Sequence, residues 1–158
     1  MKWQEVCEHP SLKNLPFKIE LNENGKILMT PVKVSHSAFQ GELEFLLRSF
    51  LHWGRTLPEC AIATRKGTKV ADVAWASDEI FEKVKNEAEC SVAPEICVEV
   101  LSAGNTEKEM EEKSKLYFEQ GAKEFWICTE QGDMKFFDIG GEIDHSSLVP
   151  DFPKHIKL

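Results

Sequence analysis

The stretch PEICVEVLS, Pro94–Ser102, is the most strand-like run of the chain, and it carries a carboxylate in its middle. Ile96, Cys97, Val98, Val100 and Leu101 are apolar and mostly β-branched, and Glu99 sits among them. A second run, KVADVAWA, repeats the anomaly: Asp72 is surrounded by Val70, Ala71, Val73, Ala74 and Trp75. With a period of two, Asp72 shares a face with Val70 and Ala74, and Glu99 shares one with Cys97 and Leu101. Neither face is otherwise polar, so both runs read as buried strands. An ionised carboxylate taken out of water is costly unless it is compensated, and two placed close together also repel. Either lysine or arginine partners satisfy them, or a hard divalent cation does, since Mg²⁺ accepts one or two carboxylates together with water and substrate phosphate.

A third charge on an apolar surface follows in sequence. NTEKEMEEKSKLYFEQG has Thr106 and Glu109 in capping-box register and Gly121 as a stop, which predicts a helix over 106–120. On it Met110, Lys113 and Tyr117 fall on one line, with Leu116 beside it, while Glu111, Glu112 and Lys115 take the outer faces. Lys113 is thus either a snorkelling lysine, one paired with Glu109 a turn earlier, or a cation aimed at the carboxylates of the preceding strand. In that last position it can orient an attacking water and stabilise phosphate charge.

The remaining elements are read from the same periodicities. Phe17–Leu21 and Lys26–Met29 form two extended pieces about the turn at Gly25. Phe39, Leu43, Leu46, Leu47 and Phe50 recur at helical spacing, with Ser37 and Gln40 as a capping box, predicting a helix over 36–53 before Gly54. Two strands meet at Lys66-Gly67, the second covering about 68–76, and SDEIFEKVKNEAE is either a short helix or an irregular connection. KEFWICTE and DMKFFDI are two strands about Gln131-Gly132. Strand pair, helix, strand pair, strand, helix, strand pair is the pattern of an α/β (α+β mixed) fold, a central mixed sheet flanked by helices. The 158 residues suit a single domain over 1–158.

Composition narrows the function. No run reaches the roughly 18 apolar residues of a membrane span, and the first ten residues have no apolar signal core. Five cysteines without a C-x-x-C spacing suggest reduced thiols in a cytoplasmic protein, with Cys97 and Cys128 as small core residues. A net charge of −8 argues against a simple nucleic-acid binder held by bulk charge. It leaves room for a local basic surface: Arg65, Lys66 and Lys69 form the densest positive patch, either a solvated hairpin turn or a contact for the DNA backbone. His9, His36, His52, His145 and His155 are scattered, and no serine or cysteine stands in a G-x-S-x-G context, so nothing suggests a histidine-centred hydrolase.

Taken together, VADVAW, PEICVEVLSAGNTEKEMEEKSKLYFEQG and AKEFWICTE resemble the Uma-two family of restriction endonucleases, a bacterial branch of the PD-(D/E)XK nuclease superfamily. The resemblance covers most of residues 36–138, and SSLVPDFPKHIKL is similar to the family's closing segment. It implies a restriction-endonuclease-like core and a Mg²⁺- or Mn²⁺-dependent nuclease acting on DNA. Asp72, Glu99 and the carbonyl of Val100 would hold the metal, and Lys113 would assist the attacking water. Ser102, Glu109 and Tyr117 fall on family motif positions, and His36 begins the first long helix as in many relatives. Glu42 is a candidate accessory acid by analogy with first-helix glutamates of some relatives. Two departures stand out: Ala71 replaces the proline of P-D, and Leu101 replaces the lysine of E-x-K. The second makes Lys113, reaching from the helix, the substitute lysine. A catalytically inactive nuclease-like module and a phosphodiesterase for RNA or another phosphate substrate are the alternatives. A homodimer would suit cutting two strands.

Overall fold

A computed structural model describes residues 1–158. The elements in chain order are α1 (Trp3–Glu8), a 3-10 turn (Pro10–Leu12), β1 (Phe17–Leu21), β2 (Ile27–Pro31), α2 (Val34–Phe50), β3 (Arg55–Thr64) and β4 (Gly67–Ala76). They continue with α3 (Asp78–Val84), β5 (Ile96–Val100), α4 (Glu107–Glu119), β6 (Glu124–Cys128), β7 (Met134–Asp138) and β8 (Gly141–Ile143). Strands β3 to β8 form one six-stranded sheet in sequence order, and β1–β2 is a separate antiparallel hairpin. The only parallel pair is β5–β6, joined by α4, so the sheet is mixed and flanked by helices as its pattern predicts. The undecided segment after Ser77 is helical in its first part: the Ser77 hydroxyl accepts from the Ile80 amide and caps α3.

Every residue of β5 and β6 is buried, which is why these strands read as continuous apolar runs rather than alternating ones. One face packs against α2 through Phe39, Leu43 and Leu47 of that helix, with Val98, Trp126 and Phe136 from the sheet. Residues from the chain's end close this core: the Phe152 ring lies 4.6 Å from Trp126 by centroids. The opposite face packs against α4 through Met110 and Tyr117, over Cys97, Phe125 and Ile127. Cys97 and Cys128 are core residues, as expected.

Helix α2 and the β3–β4 turn differ from the sequence reading. Helix α2 begins at Val34 and has no side-chain cap, so Ser37 and Gln40 are interior residues rather than a capping box. It ends at Phe50, where Leu51 turns extended, four residues short of the positive-φ Gly54. The β3–β4 turn is at Arg65-Lys66, with Gly67 already paired to Thr64. Gly67 has φ +88°, and a Cβ there would stand 2.4 Å or less from the carbonyl oxygens of Leu21 and Asn22. This close approach seats the β1–β2 hairpin on the sheet and fixes where the side chains of β1 point.

Candidate active site

Three elements bring Asp72, Glu99 and Lys113 together. Strands β4 and β5 are antiparallel with Val73 opposite Val98, so the next step of the register sets Asp72 opposite Glu99. Like charges directly opposite destabilise a sheet, so this pair requires compensation. Part of it comes from α4, whose apolar line carries Lys113 inward: its Nζ is 2.9 Å from Glu99 Oε1. Tyr117, one turn further on the same line, donates its hydroxyl to that oxygen at 2.9 Å. Val100 enters through its amide, which donates to Asp72 Oδ2 at 2.8 Å.

The rest of the compensation comes from β1. Lys18 and Glu20 are two residues apart on this strand and so lie on one face. Lys18 Nζ is 3.0 Å from Asp72 Oδ1 and 3.1 Å from Glu99 Oε2, between the two carboxylates. Glu20 Oε2 is 2.9 Å from Lys113 Nζ and accepts from the Val70 amide at 2.7 Å. From α2, His36 Nε2 lies 3.4 Å from Asp72 Oδ1, and Gln40 donates to the Asp72 carbonyl at 2.8 Å. Lys18, Glu20 and Gln40 escaped the sequence reading. FKIEL alternates like a half-exposed strand, and Gln40 sits where a capping residue was expected.

The other expected participants make no hydrogen bond or ion pair with the cluster, though Glu109 lines the cleft beside it. Glu109 closes the capping box of α4 with Thr106 and makes no ion pair with Lys113. The Ser102 amide and hydroxyl both donate to Asn105 Oδ1 in a local turn. Glu42 makes no hydrogen bond or ion pair with the cluster; the additional carboxylate is Glu20 of β1. Arg65 pairs with Glu119 at 2.9 Å and Lys66 with Glu112, so two of the three basic residues are tied to α4. Lys69 donates to the Leu21 carbonyl at 3.0 Å. Lys66 and Lys69 nonetheless line, with Lys113 and Glu20, an open cleft of about 520 Å³ beside the cluster. A larger hollow of about 580 Å³ on the far side of α4, around Phe118 and Phe137, does not touch the carboxylates.

Burial alone would push all three carboxyls up, and the neighbours decide which way each goes. For Asp72 the opposing effects of Lys18, His36 and the Val100 amide prevail, and its carboxyl falls well below the usual range. Glu20 is also lowered, by Lys113 and Lys18 against burial. Glu99 is raised, because its complete burial outweighs Lys113 and Lys18. Lys18, despite burial, is held protonated far above the ordinary lysine range by Glu99 and Asp72.

The sign of the resulting pH dependence follows. A depressed carboxyl contributes stability that is present above its unfolded value of about 4 and is lost as pH falls toward its folded value. Asp72 and Glu20 act in this sense. Glu99, with its raised folded value, takes up a proton earlier in the fold than in the unfolded chain, and favours the fold increasingly as pH falls. We therefore expect Asp72→Asn to lose stability at pH 7 and to show a flatter acid limb below about pH 4. Urea unfolding at a series of pH values measures this, and an acid limb as steep as that of the wild type would contradict it.

The donor chemistry suits a hard divalent ion. Asp72 Oδ1 and Glu99 Oε2 both reach one point, and a cationic group, the Lys18 ammonium, is already seated on it. Three carboxylates against two ammonium groups also leave the cluster one negative charge in excess when Glu99 is ionised and His36 neutral. No three His, Cys, Asp or Glu side chains form a ready-made cage. Two carboxylates suffice for Mg²⁺, which keeps several waters and takes further oxygens from a substrate phosphate.

Comparison with known proteins agrees with this architecture. No curated protein matches the chain. Among solved structures it is similar to a crystal structure described as a putative nuclease belonging to DUF820 from Anabaena variabilis, with a TM-score of 0.70 and 18% identity over 99% of this chain and 94% of that one. At that identity the similarity establishes the fold, which is nuclease-like. The family Uma2, described as "Putative restriction endonuclease", matches residues 3–137, a span that includes the β1–β2 hairpin as well as Asp72, Glu99 and Lys113. By that match, over most of its length, the chain belongs to the Uma2 family.

Proposed function

We propose that the protein is a Mg²⁺- or Mn²⁺-dependent endonuclease that hydrolyses phosphodiester bonds of DNA at the Asp72–Glu99–Lys113 cluster. The observation that carries this reading is the convergence of those three residues from β4, β5 and α4. Asp72 and Glu99, with the Val100 carbonyl, would hold the metal. Bound there, it supplies Lewis-acid polarisation of the phosphate and lowers the pKa of the attacking water.

The protein's own groups do the positioning. The Val100 amide and His36 fix the Asp72 carboxylate, and the Tyr117 hydroxyl fixes that of Glu99. Lys113, anchored between Glu20 and Glu99, presents its ammonium to the open cleft, where it can orient a water and stabilise charge developing on phosphate. Lys66 and Lys69, on the cleft wall, are placed to meet the nucleic-acid backbone. Nothing in the sequence marks a base-reading element, and cleavage without sequence preference is the expectation.

One observation favours a second reading. Lys18 occupies the point between the carboxylates, which is what a nuclease-like module that no longer cleaves would show. Single-turnover assays on duplex DNA, single-stranded DNA and RNA with Mg²⁺ or Mn²⁺ separate the two. We expect cleavage of DNA that Asp72→Ala and Glu99→Ala each abolish. Cleavage confined to RNA would correct the substrate, no metal-dependent cleavage of any substrate would favour the inactive module, and cleavage indifferent to both substitutions would move the chemistry elsewhere.

A further inference from the structure

Lys18 belongs to neither strand that carries the acidic pair. It extends from β1, in the hairpin outside the six-stranded sheet, and its ammonium contacts Asp72 and Glu99 and no other side chain. Its side chain is 11% exposed, as is that of Lys113, and Lys113 lines the cleft beside the cluster. The two lysines divide the carboxylate oxygens between them. Lys113 takes Glu99 Oε1 and Glu20, and Lys18 takes Glu99 Oε2 and Asp72 Oδ1. The oxygens under Lys18 are those that face one another across β4 and β5, and those a divalent ion would need. An ammonium and a divalent ion cannot both hold that point, because each needs the same two oxygens and the two cations repel at close range.

We propose that Lys18 is a resident competitor for the metal, setting the affinity of the free protein for divalent cations by occupying the position between Asp72 and Glu99. This rests on the nuclease reading in taking that position as the metal's. The metal meets only the fraction of molecules whose Lys18 has swung away, and its apparent affinity is reduced by that fraction. A substrate phosphate arriving in the cleft adds ligands that the metal can use and Lys18, already shared by two carboxylates, gains less from. Metal and nucleic acid then bind with positive coupling, each tighter in the presence of the other.

Calorimetric titration of the protein alone with Mg²⁺ and with Mn²⁺ tests this. Lys18→Met is expected to bind either ion at least ten-fold more tightly than wild type, and Lys18→Met with Asp72→Asn to lose the gain. Metal is also expected to raise the melting temperature of Lys18→Met more than that of wild type, since it restores the missing positive charge. If Lys18→Met does not fold without metal, Lys18→Gln, which keeps a donor for one carboxylate, takes its place. Equal affinity in wild type and the Lys18 variant would overturn the proposal, as would a gain that survives Asp72→Asn. Parallel cleavage assays keep the two readings apart. Tighter metal binding without cleavage in either protein would remove the nuclease and leave the competitor. Cleavage in both with unchanged affinity would do the reverse.

Discussion

If the protein cleaves as proposed, Lys113→Met is expected to lower metal-dependent cleavage by about 10³-fold, within the range for losing a positioned acid–base or electrostatic group, while the protein stays folded. The expectation combines reach and geometry. Lys113 is the ammonium that both touches the acidic cluster and lines the cleft, and Leu101 leaves no lysine at the usual position two residues past Glu99. Folding survives because Glu99 retains Lys18 and Tyr117 as partners, and Glu20 retains the Val70 amide. The control lies two residues away: Lys115, exposed and paired only with Glu111, should leave the rate unchanged when replaced by methionine. Single-turnover rates with circular dichroism on each variant decide the matter. A Lys113→Met protein within a factor of a few of wild type would reassign the lysine to charge balance alone.

The largest effect on stability is expected far from this cluster, at Glu124. This glutamate opens β6 and is 1% exposed, yet neither of its carboxylate oxygens lacks a donor. Trp126 Nε1 and the Ser146 hydroxyl donate to Oε2 at 3.0 and 2.6 Å, and the amides of Ser147 and Leu148 donate to Oε1 at 2.6 and 3.3 Å. The carboxylate thereby pins the segment that leads into Val149, Phe152 and Ile156, the residues closing the α2-side core. Glu124→Ala strands these donors and opens a cavity, costing roughly 3–5 kcal/mol. Glu124→Gln, which keeps the shape and one acceptor, costs less. Urea unfolding gives both numbers, and a Glu124→Ala cost below about 1 kcal/mol would mean that water replaces the carboxylate at no loss.

These two residues mark what the sequence made legible and what it did not. Lys113 could be placed because helical periodicity is a local property: Met110 and Tyr117 report the buried line on which it lies. The burial of Asp72 and Glu99 was equally readable, since each interrupts an apolar strand. Glu124 sits in a run that also reads as a strand, but its partners at 146–148 are twenty-two or more residues away and no local pattern links them. Lys18 is harder still. It is 54 residues from Asp72 and 81 from Glu99, and an alternating FKIEL gives no sign that its charged face meets those carboxylates. The basic patch has partners that are just as distant in sequence: folding brings Glu119 and Glu112 of α4 against Arg65 and Lys66.

The spacing of Lys18 and Glu20 gives the hairpin a parity. Both side chains reach the cluster because they occupy alternate positions of one strand, with Ile19 turned the other way between them. That phase is held at one end by Asn22, whose side chain accepts from the amides of Asn24 and Lys26, and by the seat of Gly67 against Leu21 and Asn22. A single residue inserted between Lys18 and Glu20 would change the phase upstream of the point of change. Lys18 would leave the carboxylates, an isoleucine or its neighbour would face them, and the cluster would lose one unit of positive charge without any change to β4, β5 or α4. The electrical state of the site is thus written in the odd or even count of a five-residue strand that is not part of the main sheet.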